Sequence, residues 1–340
     1  MREPGFWHRP PSLLSRLLLP LGAVYGEITS WRMRKTGVEA GVPVICVGNY
    51  HLGGAGKTPT TLALVQLLRD LDENPVVLSR GYGGRLRGPI GVDPQRHGAA
   101  DVGDEPLMMA RSVPVVVARD RVDGAALARS QGASVIVMDD GFQNPALLKH
   151  VALIVIDSRR GVGNACVFPA GPLRAPLPLQ IERTDALMII GDGAAADDVA
   201  AQIAAQGGVL LRAQLRPDEA SVERLQGQRV LAFAGIGDPA RFFATLRASG
   251  IDVAEARAFA DHHPFTADDL ASLADTARRD GLTLVTTEKD LARIGAAAAT
   301  LGSAIVPFAV TLAVDDPVRW RGFVLERLNQ ARAGRFRRRS

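Results

Sequence analysis

A lysine and a threonine behind a run of glycines are the residues best suited to do chemistry in this chain. In Gly53-Gly54-Ala55-Gly56-Lys57-Thr58-Pro59, the glycines would let backbone amides close around phosphate oxygens. A helix starting at the end of the run would add its positive dipole end. Lys57 would then reach the β- and γ-phosphates of a nucleotide, and the Thr58 hydroxyl would hold Mg²⁺. The first glycine of the pattern G-x-x-x-x-G-K-[ST] falls on His51, so the rival reading is a glycine-rich turn with a chance Gly-Lys-Thr. Only four of the 40 Lys+Arg residues are lysine, which speaks against chance.

Carboxylates stand where such a loop could use them. Ala133 to Met138 is an apolar run that ends in Asp139-Asp140, the form of a Walker B strand whose acid holds Mg²⁺ directly or through water. Successive strand residues face opposite sides, so the two aspartates are not expected to share one role. Val151 to Ile156 also ends in an acid, Asp157, so this pattern alone does not single out a site. Asp104 and Glu105 open a helical stretch, either as complements to the helix dipole or as metal or base carboxylates. Ser79-Arg80-Gly81-Tyr82-Gly83-Gly84 reads as a backbone-exposing loop near ligand or as a simple turn. Arg174, in Pro169-Ala170-Gly171-Pro172-Leu173-Arg174, contacts an anion or is solvated.

Two of the six histidines, His262 and His263, follow Asp261 and precede Pro264. They sit before a helix start, Thr266-x-x-Asp269, that forms a capping box. A structural and a catalytic role both remain open for them. Thr286-Thr287-Glu288-Lys289-Asp290 partly matches the guanine-specifying [NT]-K-x-D, but its lysine and aspartate are adjacent, so GTP specificity gains no support.

Alternating apolar strands and amphipathic helices must position these groups. Strands are expected at 42–47, 75–79, 113–118, 133–138 and 151–156, with helices after the glycine loop and at 120–131. This is a doubly wound parallel α/β domain of P-loop type, with ligand at the strand carboxyl ends. Residues 85–100 lack periodicity and read as a surface excursion. A second, smaller α/β lobe is expected from strands at 186–190, 208–214, 229–234, 251–257, 282–286 and 303–312, with helices near 238–249, 266–280 and 315–330. The expected division is a helix in 1–36, a P-loop domain at 37–180, a second domain at 181–328 and a basic, disordered tail at 329–340.

The composition suits a sizeable buried core: 340 residues, 47% hydrophobic. Two cysteines, Cys46 and Cys166, form no disulfide framework or metal spacing and suit a reducing compartment. The net charge is only +4, yet both ends are basic and would favour an anionic surface. Nothing aromatic interleaves the C-terminal arginines except Phe336, so no nucleic-acid partner is expected. Leu13, Leu17, Leu21, Val24, Ile28 and Trp31 recur at helical spacing. The unbroken apolar run there is too short to span a bilayer, which takes about 20 residues. An interfacial membrane helix, a helix packed on its own domain and a signal peptide are the alternatives.

Taken in order, V-G-N-x-x-x-G-G-A-G-K-T-P, S-R-G-Y-G, G-D-E-P, D-D-G-F-Q, P-A-G-P-L-R, F-A-D-H-H-x-F and T-x-K-D resemble the tetraacyldisaccharide 4'-kinases, the lipid A 4'-kinases of Gram-negative bacteria. The resemblance runs from residue 47 to 290 and takes in the N-terminal helix. It implies transfer of the ATP γ-phosphoryl group to the 4'-hydroxyl of a tetraacylated glucosamine disaccharide 1-phosphate, forming lipid IV_A. It also implies peripheral attachment to the cytoplasmic face of the inner membrane. Gly53, Gly54, Ala55, Gly56, Lys57, Thr58, Pro59 and Tyr82 would bind ATP. Thr58, Glu105, Asp139 and Asp140 would serve Mg²⁺, and Asn49, Arg80, Gln143 and Arg174 the acceptor. Asp104, His262 and Lys57 would be catalytic, and the chain is expected to act as a monomer. One departure is Asn144, where the family usually has histidine. A P-loop switch or chaperone ATPase is the rival function, since it shares the phosphate loop but needs no acceptor-hydroxyl site.

Overall fold

Strands β1 (Val44–Gly48), β2 (Pro75–Ser79), β3 (Ile90–Gly91), β4 (Val115–Val117), β5 (Val135–Asp139), β6 (Val151–Asp157), β7 (Ala186–Ile190), β8 (Val209–Pro217) and β13 (Val310–Val314) form one nine-stranded sheet. Its order is β13-β8-β7-β6-β1-β5-β2-β4-β3. The computed structural model describes residues 4–54, 56–295, 297–298 and 305–337. Every pairing in the large sheet is parallel except β13 on β8 and β3 on β4. A second, all-parallel sheet has the order β10-β9-β11-β12, from β9 (Arg229–Ala234), β10 (Asp252–Ala258), β11 (Thr283–Thr287) and β12 (Ile305–Phe308). The doubly wound fold with a smaller α/β lobe is the architecture expected from the strand–helix alternation.

The near-continuous apolar strands are explained by cover on both faces. Alternate residues divide between two cores. Cys46, Leu78, Met138 and Ile154 pack on one side with α5 (Arg121–Ser130), α6 (Leu177–Glu182) and α7 (Asp197–Ala205). Val47, Val77, Val137 and Val155 pack on the other with α2 (Lys57–Arg69) and α12 (Pro317–Arg337). Short helices α3 (Ala99–Val102) and α4 (Asp104–Met109) lie between β3 and β4. The small sheet is flanked by α8 (Glu219–Leu225), α9 (Pro239–Ala248), α10 (Ala267–Asp280) and α11 (Glu288–Ile294).

Four boundaries differ from expectation. The divide does not fall at 181: β7 pairs with β6 on one edge and β8 on the other, and its five apolar residues are buried by cover on both faces of the large sheet. The small lobe instead spans roughly the stretch from α8 to β12. The expected strand at 303–312 breaks at Ala309, and its two halves join different sheets. The lobes are thus joined by two adjacent crossings, Asp218 donating its amide to the Ala309 carbonyl at 3.0 Å. Residues 329–337 are no separate tail, because α12 runs on through Arg337, and the last three residues of the expected tail, 338–340, lie outside the described residues. Trp320, Phe323, Val324 and Leu328 bury its inner face, and Arg332 bridges to Glu73 at 2.7 Å. The excursion at 85–100 contains the two-residue strand β3.

Helix α1 (Leu13–Met33) turns its amphipathicity outward. Ser15, Gly22, Gly26, Thr29, Ser30 and Met33 form the buried face. A Cβ at Gly22 would come within 2.9 Å of the Val167 carbonyl, so only glycine permits that approach. The large side chains face away from the protein: Leu17 is 77% exposed, Leu21 59% and Trp31 63%. The helix does not use its apolar stripe to pack on its own domain. Among the described residues, no helix is long and apolar enough to cross a membrane.

Candidate active site

The carboxyl ends of β1, β2 and β5 converge on one edge of the large sheet, and the phosphate-loop candidates lie there. The chain leaves β1 at Gly48, where a Cβ would collide with Phe142 at 2.6 Å. It turns through Gly53 and Gly56 at positive φ, and Gly56 caps α2, which begins at Lys57. The neighbouring segment braces the loop: Leu52 donates its amide to the Pro172 carbonyl at 2.9 Å, and His51 bridges to Leu173. Asn49 is buried and donates to the Gly53 carbonyl at 3.1 Å. Ala55 lies outside the described residues.

Lys57 points at Asp140 across 3.7 Å, and Arg174 donates to the same carboxylate oxygen at 2.7 Å. Burial alone would raise the Asp140 carboxyl, but Lys57 and Arg174 together hold it well below the usual range. Asp139 behaves oppositely. It is buried, its contacts with Ser79 and Thr61 are long at 3.4 and 3.5 Å, and its pKa is pushed up to about 7. Burial is the main cause, followed by the charges of Glu105 and Asp140. β5 ends at Asp139, and Asp140 enters the following turn at φ 47°. The two therefore part company through a turn rather than by facing opposite sides of one strand.

Among the described residues no group of three or more His, Cys, Asp or Glu side chains converges as a metal cage. Mg²⁺ is held by one or two carboxylates, water and substrate phosphates, and a buried carboxyl short of a cation, such as Asp139, fits that role. Thr58, Asp139, Asp140 and Glu105 are the residues that would hold it.

Asp104 starts α4 behind Gly103 at φ 93°, and its carboxylate is buried. From the small lobe, His262 brings Nδ1 to 3.1 Å of Asp104 Oδ2. Arg293 donates to that same oxygen at 2.6 Å. Burial would raise the Asp104 carboxyl, but the His262 hydrogen bond, Lys289 and Arg293 drive it well below the usual range. His262 has φ 58°, a left-handed conformation that a residue with a Cβ holds only where its surroundings insist. His263 turns the other way: Nε2 meets Asp269 at 2.9 Å and the ring stacks on Phe259. Of the two histidines, one spans the lobes and the other serves the helix cap.

The remaining candidates divide. Tyr82 is 72% exposed and meets the His262 ring edge-on at 6.0 Å between centroids. Arg80, two residues earlier in the chain, is exposed. Gln143 is engaged within the fold, its amide donating to the Asn49 carbonyl at 2.8 Å and to Gln180 at 2.9 Å. Asn144 accepts the Ala146 amide and serves a turn. Lys289, paired with Glu105 at 2.9 Å, and Arg293 were not among the sequence-derived site residues. The signal for Lys289 was the T-x-K-D stretch, whose role its spacing did not disclose; Arg293 stands three residues past that stretch.

The sequence pattern of the family described as tetraacyldisaccharide-1-P 4'-kinase matches residues 14–329. The tetraacyldisaccharide 4'-kinase of Rhodopseudomonas palustris strain HaA2 is 87% identical over 332 residues, 98% of each chain. That of Nitrobacter winogradskyi strain Nb-255 is 66% identical over 334 residues, 98% of this chain and 99% of the other. The crystal structure of LpxK from Aquifex aeolicus in complex with ATP is similar at TM-score 0.74 and 26% identity, covering 93% of this chain and all of the other.

Proposed function

The chain belongs to the tetraacyldisaccharide-1-P 4'-kinase family, and from that membership we propose the part each of its residues plays. It is an ATP-dependent kinase of lipid A biosynthesis that phosphorylates the 4'-hydroxyl of a tetraacylated glucosamine disaccharide 1-phosphate. The loop amides of residues 53–56 and Lys57 hold the β- and γ-phosphates, and Lys57 leaves Asp140 to do so. Thr58, Asp139, Asp140 and Glu105 serve Mg²⁺, which supplies charge neutralisation at the phosphates. Asn49 holds the loop by its bond to Gly53, and Gln143 supports the acceptor side from behind. Arg80, Tyr82 and Arg174 line the approach of the acceptor.

A sugar hydroxyl barely ionises at neutral pH, so its proton needs a positioned base. Asp104, held as an anion, only accepts hydrogen bonds. His262 must therefore carry its proton on Nδ1, which leaves the Nε2 lone pair for the acceptor. The 4'-oxygen attacks the γ-phosphorus, the bond to the β,γ-bridging oxygen breaks, ADP leaves, and the hydroxyl proton passes to Nε2. The observation that carries this reading is the His262–Asp104 contact across the two lobes, a base–carboxylate pair that a switch ATPase would not require.

The outward apolar face of α1 supports peripheral attachment to a lipid surface, where the acylated acceptor resides. Its inner face packs on the segment that carries Arg174 and braces the phosphate loop. That arrangement presents the site to lipid headgroups, on the cytoplasmic face of the inner membrane where ATP is available. Incubation with γ-labelled ATP and the purified tetraacyldisaccharide 1-phosphate in detergent tests the function. Label is expected in the lipid; label released only as free phosphate would favour the switch ATPase.

A further inference from the structure

Helix α11, which begins within the T-x-K-D stretch, has no part in the reaction as described, yet it grips residues that do. Lys289 and Arg293 are one turn apart on α11 and share a face. They reach the first two residues of α4 in the other lobe, Lys289 bonding Glu105 at 2.9 Å and Arg293 bonding Asp104 at 2.6 Å. The Arg293 and Asp104 side chains are 9% and 8% exposed. We propose that Arg293, steadied by its turn of α11, is a positioning residue that sets His262 against Asp104 in the assembled site.

The argument lies in what one guanidinium holds. Besides Asp104, Arg293 donates to Asp290 at 2.7 Å, to the Gly235 carbonyl at 3.1 Å and to the His263 carbonyl at 3.5 Å. The Gly235 carbonyl also accepts the His262 backbone amide at 2.9 Å. Asp290 is fully buried and anchored by the Gly235 amide at 3.0 Å and by Thr287 at 2.8 Å. Arg293 therefore fixes three points around His262: the carboxylate oxygen its ring bonds, the carbonyl its amide bonds and the carbonyl of the next residue. Those contacts hold a residue at φ 58°, which would otherwise relax toward ordinary backbone angles. A lysine has a single donor centre and cannot reach all of these acceptors together. A salt bridge present only for stability would have no reason to share its oxygen with the base.

This inference rests on His262 taking the hydroxyl proton, and a double-mutant cycle separates the two claims. Arg293→Ala, Arg293→Lys, His262→Ala and the double variant Arg293→Ala/His262→Ala are compared for kcat, for KM of ATP and by thermal melt. Arg293→Ala is expected to lose roughly ten- to a hundredfold in kcat, the scale of a misplaced reacting group, with KM for ATP within about twofold of the parent. Arg293→Lys, which keeps the charge and the stem, is expected to fold and to show an intermediate kcat. In the His262→Ala background, removing Arg293 is expected to cost less than about twofold further. Equal losses in both backgrounds would make Arg293 a general structural residue and overturn the proposal. Should Arg293→Ala not fold, wild-type kcat in Arg293→Lys overturns it. Wild-type kcat in His262→Ala fails the proton-transfer reading itself, whereas an inactive His262→Ala beside a fully active Arg293→Ala fails only this inference.

Discussion

Replacing Leu17 and Leu21 together by glutamate separates membrane docking from folding. Leu17 is 77% exposed and Leu21 59%, so neither contributes much to the core. Fully burying a leucine side chain is worth about 1.5–3 kcal/mol. Sinking the exposed portions of both into an acyl boundary is therefore worth about 2–4 kcal/mol together, before any cost of inserting carboxylates. That corresponds to a loss of about 30- to 1,000-fold in vesicle partitioning. The fold should change by no more than about 0.5 kcal/mol, as for other exposed positions. The assay is flotation with phosphatidylglycerol/phosphatidylethanolamine vesicles, beside a thermal melt and turnover of acceptor embedded in the same vesicles. Partitioning and vesicle-acceptor turnover should fall while the melt stays put. Unchanged partitioning of the folded variant would refute the reasoning, and α1 would then be an exposed helix with no part in lipid contact.

Lys57→Met keeps the stem but removes the charge facing the phosphates; transfer should drop at least about a hundredfold, checked by steady-state kinetics on protein with a normal melt. Asp139 holds its proton to about 7 in the folded state against the ordinary 3.8. Its ionisation therefore removes stability as pH rises through that window. Asp139→Asn should then melt higher than the parent above pH 7, by on the order of 1–3 kcal/mol, and should need far more Mg²⁺ for turnover; a lower melt would contradict the origin assigned to that shift. His262→Ala should lower kcat with little change in ATP affinity. His263→Ala, which loses its bond to Asp269, should instead cost roughly 1–2 kcal/mol of stability, and the reverse pattern would exchange their roles.

The large sheet and its phosphate loop were legible because buried parallel strands are apolar on both faces and glycines punctuate the loop. Strands Pro75–Ser79, Ala186–Ile190 and Arg229–Ala234 fall where the apolar runs place them. Sheet membership was not legible. Nothing local in β7 distinguishes pairing with β6 from membership of a second sheet, and Ala309 gives no sign that the chain changes sheets there. The basic composition of the C-terminal stretch reads as a disordered tail, but Arg332 has Glu73 as a partner across the fold, a contact no local pattern encodes. For α1 the spacing disclosed a stripe, while the small residues between the leucines decided which face turns inward. Lys289 and Arg293 escaped notice because their partners Asp104 and Glu105 lie more than 180 positions away in the chain.

The central claim is phosphoryl transfer to one hydroxyl, and its most direct measurement is phosphorus NMR of the lipid after reaction with ATP and Mg²⁺. The tetraacyldisaccharide 1-phosphate should gain a second phosphate monoester, assigned to the 4'-carbon by its coupling to the ring proton there, in step with the ADP formed. A 4'-deoxy acceptor should gain none. ADP formation without a second lipid phosphate, or phosphorylation of the 4'-deoxy acceptor at another position, would contradict the account.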